Sequence, residues 1–293
     1  EFPLNPGHGF ADYLLYVNGK ACGVIEAKKE GATLSGVEVQ SARYAQGLPA
    51  ALPAWRRPLP FVFESTGVET RFTNGLDPAP RARPLFAFFR PELLLLWLKT
   101  AEPQSPNHIA PGTEPTAEPP AGYLPTGTFL ARLQHMPPLV TEWGQGGASY
   151  QLWPAQITAI RNLETSLAAN KPKALIQMAT GSGKTFTAIS FIYRLIKFGG
   201  ARRVLFLVDR GNLARQTKKE FDAYASPHNA YKFGEEFIVQ HLQGNQLDKN
   251  ARVVICTIQR MFSMLKGREL AEEDDEVSFL PLPQAGEGGG EGG

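Results

Sequence analysis

The chain changes its hydrophobic rhythm partway along. Over residues 1–100, short apolar runs alternate with turn signals. "ADYLLYV", "ACGVIEAK", "PFVFEST" and "VETRFT" are rich in aromatic and β-branched residues and predict strands. "VEVQSARYAQGL" predicts a helix ended by Gly47, and "RPELLLLWLK" a second helix with Pro91 in its first turn. From Tyr150 the texture differs. "LWPAQITAIRNLETSLAA" is an amphipathic helix, and the apolar runs "ALIQM", "VLFLV" and "VVICTI" follow it. Helical stretches starting near Lys184 and Asn212 alternate with these runs. Unbroken apolar strands alternating with helices predict a parallel sheet covered on both faces. Between the two regions, residues 101–122 hold six prolines and one aliphatic side chain larger than alanine, Ile109, so they cannot bury a core. The expected organisation is α/β throughout. A small α/β domain spans 1–100, a Pro-rich linker and connector 101–148, an incomplete parallel-sheet domain 149–270, and an acidic, Gly-rich tail 271–293.

Composition narrows this picture only slightly. A net charge of +2 is too small to argue for nucleic acid by itself, and 43 % hydrophobic with 20 % charged residues is ordinary for a globular protein. The two cysteines, Cys22 and Cys256, lie inside apolar runs, which predicts buried thiols and a reducing, cytoplasmic setting. The longest apolar run, "ELLLLWL" at 92–98, is far short of the ~20 residues that span a bilayer, so no membrane partner is expected. The chain opens on Glu1 and closes on "LPLPQAGEGGGEGG", which suggests a fragment at one or both ends.

"MATGSGKT" at 178–185 carries the first chemistry. It follows the predicted strand "KALIQM" and precedes a helix, the context that a phosphate-binding loop requires. Gly181 and Gly183 let backbone N–H groups turn inward around an anion, with Thr180 and Ser182 between and beside them. Lys184 can reach the β- and γ-phosphates of ATP, and Thr185 can hold Mg²⁺. The strict pattern has Gly five residues before the Gly-Lys pair, where this chain has Met178. Ala-Thr-Gly-Ser-Gly-Lys-Thr instead resembles motif I of superfamily 2 helicases and translocases. Gln156, 28 residues before Lys184, resembles the glutamine that reads adenine in that superfamily. "LVDRGNLARQ" resembles its motif Ia and "CTIQRM" its motif Ib. The resemblance implies that Arg210, Arg215 and Thr257 line a DNA path. Between Arg202 and Lys219 there are six basic residues and one acid, Asp209, which fits either phosphate contact or a solvated helix face.

"GVIEAKKEG" at 23–31 poses a different question, because an apolar strand suddenly carries Glu26 and Lys28. Upstream lies Asp12. Asp…Glu-x-Lys resembles the PD-(D/E)xK nucleases, in which two carboxylates bind Mg²⁺ and the lysine contacts water or phosphate. Residues 26 and 28 share a strand face. Asp12 must reach that face from the partner strand. "NG" at 18–19 is a strong hairpin signal, but a strict two-residue loop pairs Val17 with Lys20 and sets Asp12 opposite Ile25. The chemistry therefore predicts either a three-residue loop with Gly19 left-handed, or a β-bulge beside Asp12. Without it, the same residues read as a half-exposed hairpin with surface charges. Gln40 and Tyr44, four apart on the following helix, match the Gln-x-x-x-Tyr element of one branch of these nucleases. His8 reads as a loop residue and receives no role.

A nuclease of this type followed by a superfamily 2 motor resembles the restriction (R) subunit of type I restriction enzymes. The resemblance implies a restriction-nuclease-like domain and a RecA-like domain. It implies Asp12, Glu26, Lys28, Gln40 and Tyr44 at a cleavage centre, with Asp12, Glu26 and Thr185 as Mg²⁺ ligands. Gln156 and residues 180–185 would bind ATP. Implied partners are double-stranded DNA and the methylation and specificity subunits of a restriction-modification complex; the implied activity is ATP-driven translocation coupled to DNA cleavage. The family's acidic Asp-Glu-Ala-His-type motif and second motor domain do not occur. "EEDDE" at 272–276 has no apolar strand before it, so ATP hydrolysis is not expected of this chain. Two other classes stay open: an ATPase with a non-cleaving N-terminal DNA-binding module, and an inactive remnant.

Overall fold

The computed structural model describes residues 1–34, 36–101, 127–145 and 148–268. Most of the Pro-rich segment and all of the expected Gly-rich tail lie outside them. Two compact units form. The first takes Glu1–Pro137, Leu163–Ala174 and Phe198–Gly200, and the second the described residues among Pro138–Asn162, Leu175–Lys197 and Ala201–Gly293.

In the first unit, β1 (Phe2–Pro3) pairs with β2 (Phe10–Ala11). A five-stranded sheet follows, built from β3 (Tyr13–Val17), β4 (Lys20–Ala27), β5 (Phe61–Ser65), β6 (Thr70–Asn74) and β7 (Arg83–Leu85), in the order β3-β4-β5-β6-β7. Only β4 and β5 run parallel. The crossover between them contains α1 (Val37–Gln46), which ends at Gly47 as its sequence predicts. Ala45 of α1 packs with Val24 and Val62 on one face of the sheet. The other face is aromatic: Phe61, Phe63 and Phe72 pack with Leu94 and Leu98 of α2 (Pro91–Thr100). Pro91 sits at the start of α2, where its missing N–H costs no hydrogen bond. A short helix, α3 (Phe129–Gln134), capped by the Thr128 hydroxyl, lies in a segment whose sequence predicts no element.

The β3–β4 hairpin sets the geometry of everything downstream. Val17 pairs with Lys20 across a two-residue turn in which Asn18 (φ 50°) and Gly19 (φ 73°) are both left-handed. That is the turn an Asn-Gly pair favours, because its twist matches that of the strands. The register then slips. Tyr16 faces Ala21 but Leu15 faces Gly23, so Cys22 is an extra residue with no partner. Both faces of the sheet register the change. Ala21 belongs to the α1-side cluster and Cys22 to the aromatic cluster, and Val24 returns to the α1 side. Of the two devices the sequence left open, the three-residue loop is absent. A bulge does the work, and it sits at Cys22 instead of beside Asp12.

In the second unit, β8 (Glu142–Gln145) and β9 (Ala148–Gln151) form a hairpin. They are followed by α4 (Pro154–Ala168), whose residues from Leu163 on belong to the first unit, and by α5 (Lys184–Lys197). Then come β10 (Val204–Val208), α6 (Gly211–Ala223), the short α7 (Phe233–Glu236), β11 (Val239–His241), β12 (Val253–Thr257) and α8 (Ile258–Leu265). The strands make a wholly parallel sheet in the order β10-β12-β11. Ile189, Tyr193, Phe221, Phe233, Val253 and Ile255 form its core.

One strand expectation fails. "ALIQM" at 174–178 forms no strand, and Leu175 is 94 % exposed. An apolar run becomes a strand only where a neighbour completes its ladder and covers its side chains. Among the described residues β10 pairs with β12 alone, and nothing pairs with 174–178. No described helix is long and apolar enough to cross a membrane.

Gly23 lies beside the bulge, and a Cβ there would stand 2.3 Å from the Phe61 carbonyl oxygen. That neighbour is backbone and cannot swing aside. Gly23→Ala should therefore lower the unfolding free energy by about 1–3 kcal/mol, the usual range for overpacking. Urea denaturation checks this; an unchanged midpoint would show that β4 and β5 can part without cost.

Candidate functional site

The bulge delivers Asp12 to Glu26. Tyr13 pairs with Ile25, so the next step along the hairpin brings Asp12 alongside Glu26. Asp12 lies in a bend where β3 has not yet begun. Its side chain substitutes for a ladder carbonyl: Oδ2 accepts the Ala27 N–H at 2.7 Å. One carboxylate oxygen thus anchors the loop to β4.

Glu26 continues the face of Val24 and points toward α1. It is 3 % exposed, and its two oxygens differ. Oε1 accepts from the Lys28 ammonium at 2.5 Å. Oε2 is buried with no hydrogen-bond partner. Burial raises the Glu26 pKa above its ordinary value, the Lys28 hydrogen bond opposes this, and the nearby Asp12 carboxylate adds to the rise. Burial wins because a half-exposed lysine returns less than full desolvation takes away. The Lys28 pKa is raised, chiefly by its hydrogen bond to Glu26.

From Lys28 a chain of contacts runs to α1. The Lys28 ammonium lies 3.5 Å from Gln40 Oε1, and Gln40 Nε2 donates to Tyr44 Oη at 2.5 Å. The ammonium can only donate, so it sets the Gln40 carbonyl toward itself and leaves the amide N–H to the Tyr44 phenol. All five residues of the expected cleavage centre come together on one face of one sheet.

An unpartnered, buried carboxylate oxygen beside a second carboxylate is an incomplete arrangement for a protein alone. It fits a hard divalent cation, and Mg²⁺ is commonly held by one or two carboxylates with water and substrate phosphate filling the remaining positions. Asp12 and Glu26 would hold it.

The second cluster lies on the loop 178–185. Gly181 (φ 79°) and Gly183 (φ 75°) are left-handed, and α5 starts at Lys184, so its first N–H groups open onto the loop. Ser182 Oγ and Lys184 Nζ both donate to the Ala179 carbonyl, at 2.6 and 3.2 Å. Lys184 therefore lies back across the loop. Gln156 is buried against it: Nε2 donates to the Ser182 carbonyl at 3.4 Å, and Oε1 accepts the Trp153 N–H at 2.9 Å. A Cβ on Gly183 would stand 2.4 Å from Gln156 Nε2, so a side chain there would push the glutamine aside besides being strained at this φ. Thr180 is exposed and Thr185 half-buried at the helix start.

Arg210 and Thr257 lie at the carboxyl ends of β10 and β12, where Val208 pairs with Thr257. Ligands of open parallel sheets bind outside these ends. Arg210 begins α6, and Arg215 follows on the same helix. The Thr257 hydroxyl caps α8 by accepting the Arg260 N–H at 3.1 Å. Gln259 Nε2 donates to the Asp209 carbonyl at 3.1 Å, tying the two strand-end loops together. Thr257 is buried and committed to its cap, whereas Arg210, 3.9 Å from Asp209, and Arg215 on α6 are both exposed cations.

One residue escaped the sequence reading. Glu64, in "FVFES", is a carboxylate inside an apolar strand, the same signal that singled out Glu26.

Comparison with known proteins finds restriction-enzyme subunits similar to both regions of the chain. Residues 4–81 match the family model for the type I restriction enzyme R protein N terminus, and residues 149–280 that for the type III restriction enzyme res subunit. The EcoKI endonuclease subunit of Escherichia coli K12, a type I restriction enzyme, is 25 % identical over 86 % of this chain and 22 % of its own length. The EcoAI endonuclease subunit of Escherichia coli is 43 % identical over 22 % of the chain and 8 % of that protein. The SauCOLORF180P subunit of Staphylococcus aureus COL is 30 % identical over 39 % of the chain and 12 % of that protein. A solved fragment from Vibrio vulnificus YJ016 aligns with 88 % of the chain and 39 % of itself, at 21 % identity and a TM-score of 0.30. The chain thus spans about a fifth of the EcoKI subunit's length. With a type I R protein N-terminal match at residues 4–81 and a type III res-subunit match at residues 149–280, the chain is similar to the endonuclease (R) subunits of type I restriction enzymes.

Proposed function

We propose that the first unit is a Mg²⁺-dependent DNA nuclease and that the second is the nucleotide- and DNA-contacting part of a translocating motor. The two would act on double-stranded DNA within a cytoplasmic restriction-modification complex that includes methylation and specificity subunits. The observation that carries this reading is the convergence of Asp12, Glu26 and Lys28, which the hairpin reaches only through its bulge. Hydrolysis adds water across a P–O bond, leaving one phosphate and one hydroxyl end. Bound Mg²⁺ would supply charge stabilisation at the scissile phosphate and a more acidic water. The carboxylates of Asp12 and Glu26 would bind and orient that cation. The Lys28 ammonium, held by Glu26 and aligned by Gln40, would donate to the attacking water or to a phosphate oxygen. Motor function would draw on Gln156 for the base of ATP, the loop 180–184 for its phosphates, and Thr185 for its Mg²⁺.

The direct test is nicking of supercoiled plasmid by the purified chain. Cleavage should require Mg²⁺ and vanish in Asp12→Ala, with the variant's circular dichroism unchanged. Equal nicking by Asp12→Ala would exclude this centre.

Glu26 makes a further prediction through stability. Its folded pKa is raised, so the folded state binds a proton more readily than the unfolded chain. Stability then falls as pH rises through the folded pKa. Glu26→Gln should accordingly melt at a higher temperature than the parent in EDTA at pH 8, and the gap should close as pH falls toward 4. The same variant should lose the rise in melting temperature that Mg²⁺ gives the parent.

For the second unit, Lys184→Ala should abolish binding of a fluorescent ATP analogue. Arg210→Ala should weaken duplex DNA binding and reduce the slope of log K against log salt by about 1, the mark of one lost phosphate contact. An unchanged slope would assign Arg210 to the solvated surface.

A further inference from the structure

Glu64 is the most deeply buried carboxylate near the cleavage centre, at 1 % exposure. It stands on β5 directly beside Glu26, since the two are register partners on parallel strands. Val24 and Val62, two residues earlier on each strand, both pack against α1. By the two-residue period, both glutamates face that helix.

The partner of Glu64 lies inside α1. Ser41, fully buried, donates its hydroxyl to Glu64 Oε1 at 2.5 Å. Ser41 is the residue after Gln40 and three before Tyr44. Its hydroxyl also lies 3.1 Å from the Val37 carbonyl one turn back.

Two roles could explain so costly a buried acid. As a metal ligand, Glu64 would join Asp12 and Glu26, but among the described residues no three acidic, His or Cys side chains gather as a metal-binding group. As a strut it fits. The N-cap of α1 is Gly36, which supplies no side-chain cap, so contacts with the sheet help to set the helix's rotation about its own axis. Gln40 and Tyr44 are useful only if that rotation is right, because successive residues on a helix lie about 100° apart. A short, buried hydrogen bond from the sheet to Ser41 fixes it.

We propose that Glu64 is a positioning residue: through Ser41 it holds α1 at the rotation that sets Gln40 and Tyr44 over Lys28. This rests on the nuclease reading above, and the experiment separates the two. Four forms of the chain are compared: parent, Ser41→Ala, Glu64→Ala and Glu64→Gln, the last of which keeps an oxygen to accept from Ser41. The readouts are the Lys28 ¹³Cε NMR signal, Mg²⁺ affinity by calorimetry, and plasmid nicking at saturating Mg²⁺.

Ser41→Ala and Glu64→Ala should both shift the Lys28 signal and leave Mg²⁺ affinity within about twofold. They should slow nicking by about 10–100-fold, as loss of an outer orienting partner does. Glu64→Gln should restore signal and rate. Ser41→Ala removes one oxygen and serves if Glu64→Ala fails to fold. An unmoved Lys28 signal in folded Ser41→Ala overturns the proposal, and so does loss of Mg²⁺ affinity in Glu64→Gln, which would make Glu64 a ligand. A parent chain that does not nick defeats the nuclease reading, while the Lys28 signal still decides the strut.

Discussion

A single extra residue in a hairpin governs the first unit. With Cys22 unpaired, β3 and β4 slip by one position, and every side chain before the slip changes its facing partner. Without the slip Asp12 would lie opposite Ile25 and on the aromatic side. The bulge is tolerated because both sheet faces are buried and each accepts its new occupant. Cys22 joins the phenylalanines, and Ala21 fits under α1. The absence of a side chain at Gly23 lets the Phe61 backbone approach. Local packing thus bears the cost of a register that ladder pairing alone would not choose.

That register has an electrostatic consequence. It places two carboxylates together at the edge of a buried face, one with an unpartnered oxygen, and offers a single lysine against them. Hydrophobic residues would fold more stably there. Burial and like charge push protons onto Glu26, whereas a divalent cation would satisfy both acids at once. α1 faces this arrangement and contributes the amide and phenol that orient the lysine. In the second unit the same economy appears in another form. The loop 178–185 owes its shape to two left-handed glycines, one of them close against Gln156.

Most of this was legible in the sequence because the signals were local. Asn-Gly fixed the turn, alternation fixed the strands, and Gly-Ser-Gly-Lys-Thr fixed the loop. The site chemistry even demanded a register change before its location was visible. The location was not legible, since Cys22 looks like any small apolar strand residue, and only the competition between two sheet faces selects it. "ALIQM" failed for the converse reason: its propensity for a strand is high, but pairing is supplied by neighbours. The β8–β9 hairpin and α3 lie in stretches with weak periodicity. Glu64 carried the same signal as Glu26, a charge in an apolar run, yet lacked a motif to draw attention to it.

The central claim is that Asp12 and Glu26 form one cation site at the bulged hairpin. Mn²⁺, a paramagnetic stand-in for Mg²⁺, tests it directly in a ¹⁵N-labelled chain. Substoichiometric Mn²⁺ should broaden the amide signals of residues 12 and 25–28 first, and excess Mg²⁺ should restore them. Broadening centred elsewhere in the first unit, or unchanged broadening of these signals in Asp12→Ala, would contradict the account.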